Sequence, residues 1–170
     1  NVSNDIKTPL TSIINYVDIL KRSNIEDPKI QGYLEILEAK AQRLKTLTED
    51  VVEASKVSSG NINLQLMDVN LVEMMNQTTG EFAEKFEHKN LELIQTLPNE
   101  PAIIHVDGRR MWRVLENLYN NAAKYAMPGK RIYADLRTDK DEVIFSLKNV
   151  SEYPLNFSAD ELTERFIRGD

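Results

Sequence analysis

Residues 27–55 read DPKIQGYLEILEAKAQRLKTLTEDVVEAS. Within this stretch Ile30, Leu34, Leu37, Ala41, Leu44, Thr48 and Val51 step by four and three, the spacing that lines side chains along one stripe of a helix. Asp27 suits the N-cap and Pro28 the first helical position, where its missing donor would be unpaired anyway, so a helix is expected from there to about Ser55. Upstream, Ile6, Leu10, Ile13, Val17 and Leu20 repeat the pattern on a helix ending near Arg22, and Asn24 to Asp27 read as a turn. Two long helices joined by a short turn form an antiparallel hairpin. Tyr33, Leu47 and Ala54 flank the seam and make the apolar stripe wider than one neighbouring helix can cover. Pairing of two hairpins into a four-helix bundle is the expected solution, because each Leu or Ile left wet forfeits about 1.5–3 kcal/mol. Packing against a second domain is the alternative.

Downstream the periodicity changes. Ser58-Ser59-Gly60 separates the hairpin, residues 1–58, from a second domain, residues 61–170, that mixes alternating with helical stretches. Ile62, Leu64 and Leu66 alternate as a short strand, and Asp68 or Asn70 can cap a helix carrying Leu71, Met74, Met75, Phe82 and Phe86 to about Lys89. Leu91, Leu93 and Ile94 lead as a strand into a turn at Pro98 to Pro101, and Ala102 to Val106 form the next strand. Asp107 can cap a helix holding Met111, Val114, Leu115, Leu118 and Ala122. Arg131 to Arg137 and Val143 to Leu147 alternate about the charged turn Asp139 to Glu142, as a hairpin does, and a short helix is expected over Asp160 to Arg165. Helices on one face of a mixed sheet make the whole chain α+β: a helical hairpin followed by an α/β sandwich.

Composition narrows the chemistry. The 170 residues carry 21 Lys plus Arg against 27 Asp plus Glu, a net charge of -6 without a sustained basic tract, so the electrostatic footprint of nucleic-acid binding is missing and an acidic protein partner fits poorly. With no Cys there is no disulfide framework, thiolate metal site or cysteine nucleophile. Two His, His88 in a polar helix end and His105 in a strand, are read as structural and are too few for a histidine-rich metal site. No apolar run approaches the roughly 20 residues that span a bilayer, and no signal-peptide pattern opens the chain. No direct membrane contact is therefore expected of it.

The first chemically specific stretch is Ser3-Asn4-Asp5-Ile6-Lys7-Thr8-Pro9-Leu10-Thr11-Ser12-Ile13. Residues 4, 5 and 8 share a solvent-facing patch beside the Ile6-Leu10-Ile13 seam, and Pro9, lacking a donor, frees the Asp5 carbonyl and favours a bend there. The second is Glu116-Asn117-Leu118-Tyr119-Asn120-Asn121-Ala122-Ala123-Lys124-Tyr125, in which Asn117, Asn121 and Lys124 line one helical face while Leu115, Leu118 and Ala122 point towards the sheet. A solvated face is the bland explanation of such a polar row. The first stretch resembles the H box of sensor histidine kinases, His-Glu/Asp-x-x-Thr/Asn-Pro-Leu, on the first helix of their dimerisation and phosphotransfer hairpin. The second resembles the N box of their ATP-binding domain. The two lie in the family's order and cover nearly the whole chain.

The resemblance implies a kinase core that binds ATP and Mg²⁺, autophosphorylates a His on the first helix and passes phosphate to the Asp of a response-regulator receiver domain. It implies a homodimer through the hairpin, in the cytoplasmic part of a membrane-anchored bacterial receptor. Asn121 would ligate Mg²⁺, Asn117 support that site, Lys124 offset phosphate charge and Tyr125 lie near the nucleotide. Asp5 would orient or deprotonate the phosphoacceptor, and Thr8 would position water for the reverse reaction. Asn4 stands where that acceptor His belongs. Its amide lone pair is delocalised into the carbonyl whereas neutral imidazole keeps a free one, so autophosphorylation is expected to fail. The change is either a replacement made to freeze one state or the mark of a degenerate kinase.

Ser146-Leu147-Lys148-Asn149-Val150-Ser151 falls where the family has an Asp that accepts from the adenine amino group, and Asn149 can accept through its amide oxygen. Leu162 to Asp170 resembles the F box, with Phe166 as an anchor against the sheet. The Gly-x-Gly segment that follows in the family does not occur here, so the ATP-binding domain is read as incomplete at its C-terminus. Two further readings stand beside the kinase: a phosphatase-only module using Thr8, and a non-catalytic dimeric scaffold.

Overall fold

A computed structural model describes the backbone of residues 2–152 and the side chains of residues 5–152. The expected helix over Asp160 to Arg165 and the anchor Phe166 lie outside the described residues. The chain divides into two units, Asn1–Asn63 and Leu64–Asp170.

The first unit is a helical hairpin of α1 (Val2–Arg22) and α2 (Pro28–Ser58). Asp27 caps α2 by accepting from the Lys29 N–H at 2.9 Å, with Pro28 at the first helical position as its fixed φ favours. Asn24, at φ 52°, makes the left-handed step of the turn that Asn tolerates better than most residues. Pro9 lies inside α1, which runs on through it. Among the described residues of the hairpin, only Leu10, Val17, Leu34 and Ala41 are buried. Most of the remaining seam positions are open: Ile6, Ile13 and Leu20 on α1 and Leu37, Leu44 and Val51 on α2 are each 44–60% exposed, and Thr48 is half-buried. The hairpin therefore covers one of every two layers of its stripe and leaves the other bare. Lys21 and Glu38 pair across the two helices, which raises the Lys21 pKa chiefly through their hydrogen bond.

The second unit follows the order β1 (Leu66–Asn70), α3 (Leu71–His88), β2 (Glu92–Thr96), β3 (Ile103–Asp107), α4 (Gly108–Tyr125), β4 (Arg131–Asp139), β5 (Glu142–Asn149). The expected first strand over Ile62 to Leu66 is displaced: pairing begins only at Leu66, where β3 offers a partner, and runs to Asn70. Instead of one mixed sheet there are two ladders, β1 antiparallel to β3, and β2–β4–β5 with β2 parallel to β4 and β4 antiparallel to β5. Alternation along each strand predicts strands, and carries no information on which of them share a ladder.

Caps set where the helices start. Asn70 accepts from the Val72 N–H (3.1 Å) and also from the Ala102 N–H (3.2 Å), so one side chain starts α3 and ties it to the chain entering β3. Asp107 starts α4 by accepting from Arg110 N–H (3.3 Å) and reaches back to Gln65 N–H (3.1 Å); these bonds, the one to Gln65 foremost, hold its carboxyl below the usual range. The core lies between α3, α4 and the inner face of β4: Met75, Leu115, Tyr119, Ile132, Ala134 and Leu136 are at most 2% exposed. Phe82, Phe86 and Tyr119 cluster with ring centroids 5.8–6.2 Å apart, a spacing at which aromatic pairs attract beyond their buried area.

Candidate functional site

At 100° per residue, Leu115, Tyr119, Ala122 and Ala126 share one face of α4, and all four are buried. On one side of that face lie Trp112, Glu116, Asn120 and Ala123. Lys85 of α3 donates to Asn120 Oδ1 there at 3.4 Å and sits 5.0 Å from the Phe82 ring centroid. On the other side lie Val114, Asn117, Leu118, Asn121 and Tyr125. Asn117, Asn121 and, further round, Lys124 are exposed, as a polar row would be.

Leu118 departs from the expectation that it points to the sheet. It is 39% exposed and Val114 48% exposed, while Tyr119, not singled out, is fully buried. The side of α4 away from Asn120 thus combines two open aliphatic side chains with two carboxamides, Asn117 and Asn121, that make no hydrogen bond among the described residues. An i, i+4 pair of Val114 and Leu118 beside the Asn117–Asn121 pair was visible in the sequence, and reading both pairs as one flank would have found it.

The C-terminal turn of α4 is fastened to the strand end that carries Asn149. Met127 N–H donates to Val150 O at 2.7 Å, Glu152 N–H donates to Tyr125 O at 2.8 Å, and Ala126 bridges Ser151. Lys89, just past α3, donates to Lys124 O at 2.7 Å and lies 3.7 Å from Glu152. A cation on the last carbonyls of a helix also opposes the negative end of its dipole. Lys124 Nζ lies 5.7 Å from the Tyr125 ring centroid. Asn121, Lys124, Tyr125 and Asn149 are therefore held within one neighbourhood, which Asn117 joins one turn earlier.

Asp5 and Thr8 are exposed on α1, and the side chain of Asn4 lies outside the described residues. Of the two histidines, His88 is exposed at the end of α3, and His105 pairs across the β1–β3 ladder with Asp68 (3.0 Å).

The donor set fits a hard cation bound mostly by other oxygens. Asn121 offers a neutral carboxamide oxygen, Asn117 a second, and Lys124 a point charge for phosphate, whereas Mg²⁺ keeps several waters and takes few protein ligands when it rides on a nucleotide. Among the described residues no group of three or more His, Asp and Glu is placed to cage a metal ion. An open depression of about 700 Å³ lies elsewhere, lined by Gln77, Gly80 and Glu81 of α3 and by Gly108, Arg109 and Trp112 of α4. It shares no residue with the carboxamide flank, and its lining offers neither the paired amides nor an apolar row.

Residues 1–60 match the family described as His Kinase A (phospho-acceptor) domain. The sensor protein VanSC of Enterococcus gallinarum is 32% identical over 174 aligned residues, which take in 99% of this chain and 46% of VanSC. The chain belongs among the sensor histidine kinases. Solved structures agree in fold: full-length ShkA in complex with AMPPNP matches with a TM-score of 0.77 at 19% identity over 94% of this chain and 34% of that one. The histidine kinase ThkA in complex with the response regulator protein TrrA matches with a TM-score of 0.57 at 25% identity, over 86% of this chain and 42% of that one. The chain thus spans under half the length of VanSC, and no helix among the described residues is long and apolar enough to cross a membrane. In this sensor kinase chain the hairpin is the part that the phosphoacceptor family covers, and the carboxamide flank belongs to the unit beyond it.

Proposed function

We propose that the second unit binds ATP with Mg²⁺ on the carboxamide flank of α4, as the nucleotide-holding part of a two-component kinase core. The observation that carries this reading is the pair Asn117 and Asn121, uncommitted amides one turn apart, flanked by open Val114 and Leu118. Asn121 would contribute a metal ligand, Asn117 would support it, Lys124 would offset phosphate charge, and the aliphatic pair would cover an apolar face of the base. When bound, ATP with Mg²⁺ supplies a transferable phosphoryl group. The AMPPNP complex of the ShkA neighbour is consistent with this assignment. The test is calorimetry with ATP and Mg²⁺: binding is expected, and Asn121→Ala should weaken it about tenfold or more, the cost of a charge-assisted contact. No heat from the unaltered chain would overturn the reading.

The hairpin would be the dimerising and receiver-docking element. Its open layer, Ile13, Leu20, Leu37, Leu44 and Val51, supports a second hairpin as partner, and the ThkA complex with TrrA supports a response-regulator receiver as the docked protein. With Asn4 at the acceptor position, the chain itself takes no phosphate onto α1: an amide nitrogen has no free lone pair to attack phosphorus. Incubation with labelled ATP should leave no acid-labile, base-stable label, and Asn4→His in a chain that also carries the Gly-x-Gly segment should introduce it. Label on the unaltered chain would contradict this.

The phosphatase reading is favoured by a specific observation, that Asp5 and Thr8 remain together and exposed on α1 although Asn4 replaces the acceptor. In that reading Thr8 positions water on a phosphorylated receiver. Thr8→Ala should then slow receiver dephosphorylation, and an unchanged rate would remove it. If nucleotide binding is absent and receiver docking persists, the chain is a scaffold.

A further inference from the structure

The last carbonyls of a helix normally look for donors outside it. At the end of α4 the next turn cannot help. The residue four beyond Lys124 is Pro128, which has no N–H to give. Four beyond Tyr125 is Gly129, whose N–H goes to Asn90 O at 3.1 Å instead. Two other segments supply what is missing: Glu152 N–H donates to Tyr125 O (2.8 Å), and Lys89 Nζ donates to Lys124 O (2.7 Å). Lys89 is itself held in place. It stands where α3 ends, Asn90 after it takes a left-handed step at φ 56°, and Leu91 N–H closes back on Phe86 O at 2.8 Å. Its ammonium also lies 3.7 Å from the Glu152 carboxylate, and its side chain is only 22% exposed. The ends of α3 and α4 and the segment after β5 thus meet at one cation.

We propose that Lys89 is a positioning residue of the nucleotide site: by giving Lys124 O the donor that Pro128 cannot, it fixes that peptide and with it the direction in which the Lys124 ammonium meets phosphate. The proposal rests on the reading of the α4 flank as a nucleotide site and adds what aims one of its residues. Lys89 needs no contact with the nucleotide to act. Lys124 carries its charge on a flexible four-carbon stem, so a helix end free to rotate would spread that charge over many directions. Holding the peptide removes part of this freedom before the ligand arrives, which lowers the ordering cost of binding. A charge-assisted bond holds it more firmly than a neutral one would.

Calorimetry with ATP and Mg²⁺ on the intact chain, run well below its melting temperature and with circular dichroism showing each variant folded, tests this. Lys89→Met, which keeps an unbranched stem and loses the charged donor, should weaken binding about fivefold or more. Lys89→Arg, which keeps a charged donor, should restore most of the affinity. Asn70→Ala, which removes a cap at the opposite end of α3, is the control for general loosening and should leave the affinity unchanged. In a chain already carrying Lys124→Ala, Lys89→Met should cost less than it does alone, because the side chain it directs is gone. Unchanged affinity in Lys89→Met, no recovery in Lys89→Arg, an equal loss in Asn70→Ala, or full additivity with Lys124→Ala overturns the positioning role while the nucleotide site stands. Absence of binding by the unaltered chain overturns the site and the role together.

Discussion

Tyr119 shows what one atom can report. Its ring is sealed among Phe82 and Phe86, and its hydroxyl lies 3.5 Å from Thr79 Oγ1, which bonds to Gln95 at 2.7 Å. Burial pushes its pKa above the ordinary tyrosine value. The folded state thus keeps the phenolic proton at a pH where the unfolded chain has released it, so this contribution is complete below the unfolded pKa and is lost as pH rises through the folded one. Melting followed between neutral pH and pH of about 11 should show stability falling above about 10, the unperturbed tyrosine pKa, and Tyr119→Phe should flatten that fall. Tyr119→Ala should cost about 3–5 kcal/mol by emptying the cluster, and with α4 loosened it should also weaken nucleotide binding. A pH profile identical in Tyr119→Phe would show that other groups govern the alkaline limb.

Among the elements, the caps are the legible part. Asp27, Asn70 and Asp107 begin their helices as their residue types and positions predict, because an N-cap acts through a local bond to the next two or three amides. The long-range use of the same side chains was not legible. Asn70 also serves Ala102 and Asp107 also serves Gln65, contacts between positions far apart in sequence that exist only once β1 and β3 pair. The same cause hid the start of β1 and the division into two ladders. On α4 the periodicity found the buried stripe but assigned Leu118 to it, since a hydrophobic residue at the stripe's margin looks the same whether a helix, a ligand or water covers it. The carboxamide spacing was plain in the sequence, and its link to Asn149 depended on the β4–β5 register. Asn70→Ala should destabilise the second unit by about 1–2 kcal/mol in chemical denaturation. Asn70→Asp should recover most of it, and equal loss in both would mean the side-chain oxygen is not what matters.

At the scale of the whole molecule, the open layer of the hairpin is where the proposed dimer is tested. A monomeric hairpin with Leu37, Leu44 and Val51 each more than half exposed carries more open aliphatic surface than an isolated pair of helices sustains. Sedimentation should find a dimer whose melting temperature rises with protein concentration. Leu37→Lys with Leu44→Lys should give monomers, since each burial lost is worth about 1.5–3 kcal/mol and the lysines add repulsion. Nucleotide binding by the second unit should survive that change, because Asn117, Asn121 and Asn149 all belong to residues 64–170. A chain that stays dimeric with both lysines would place the interface elsewhere.

The protein has a single tryptophan, and Trp112 stands in the depression between α3 and α4, half-buried and on the side of α4 turned away from the carboxamides. Intrinsic emission is therefore a built-in gauge of the packing between α3 and α4. Its colour should follow denaturation of residues 64–170, so the unfolding of that unit can be timed without attaching a dye.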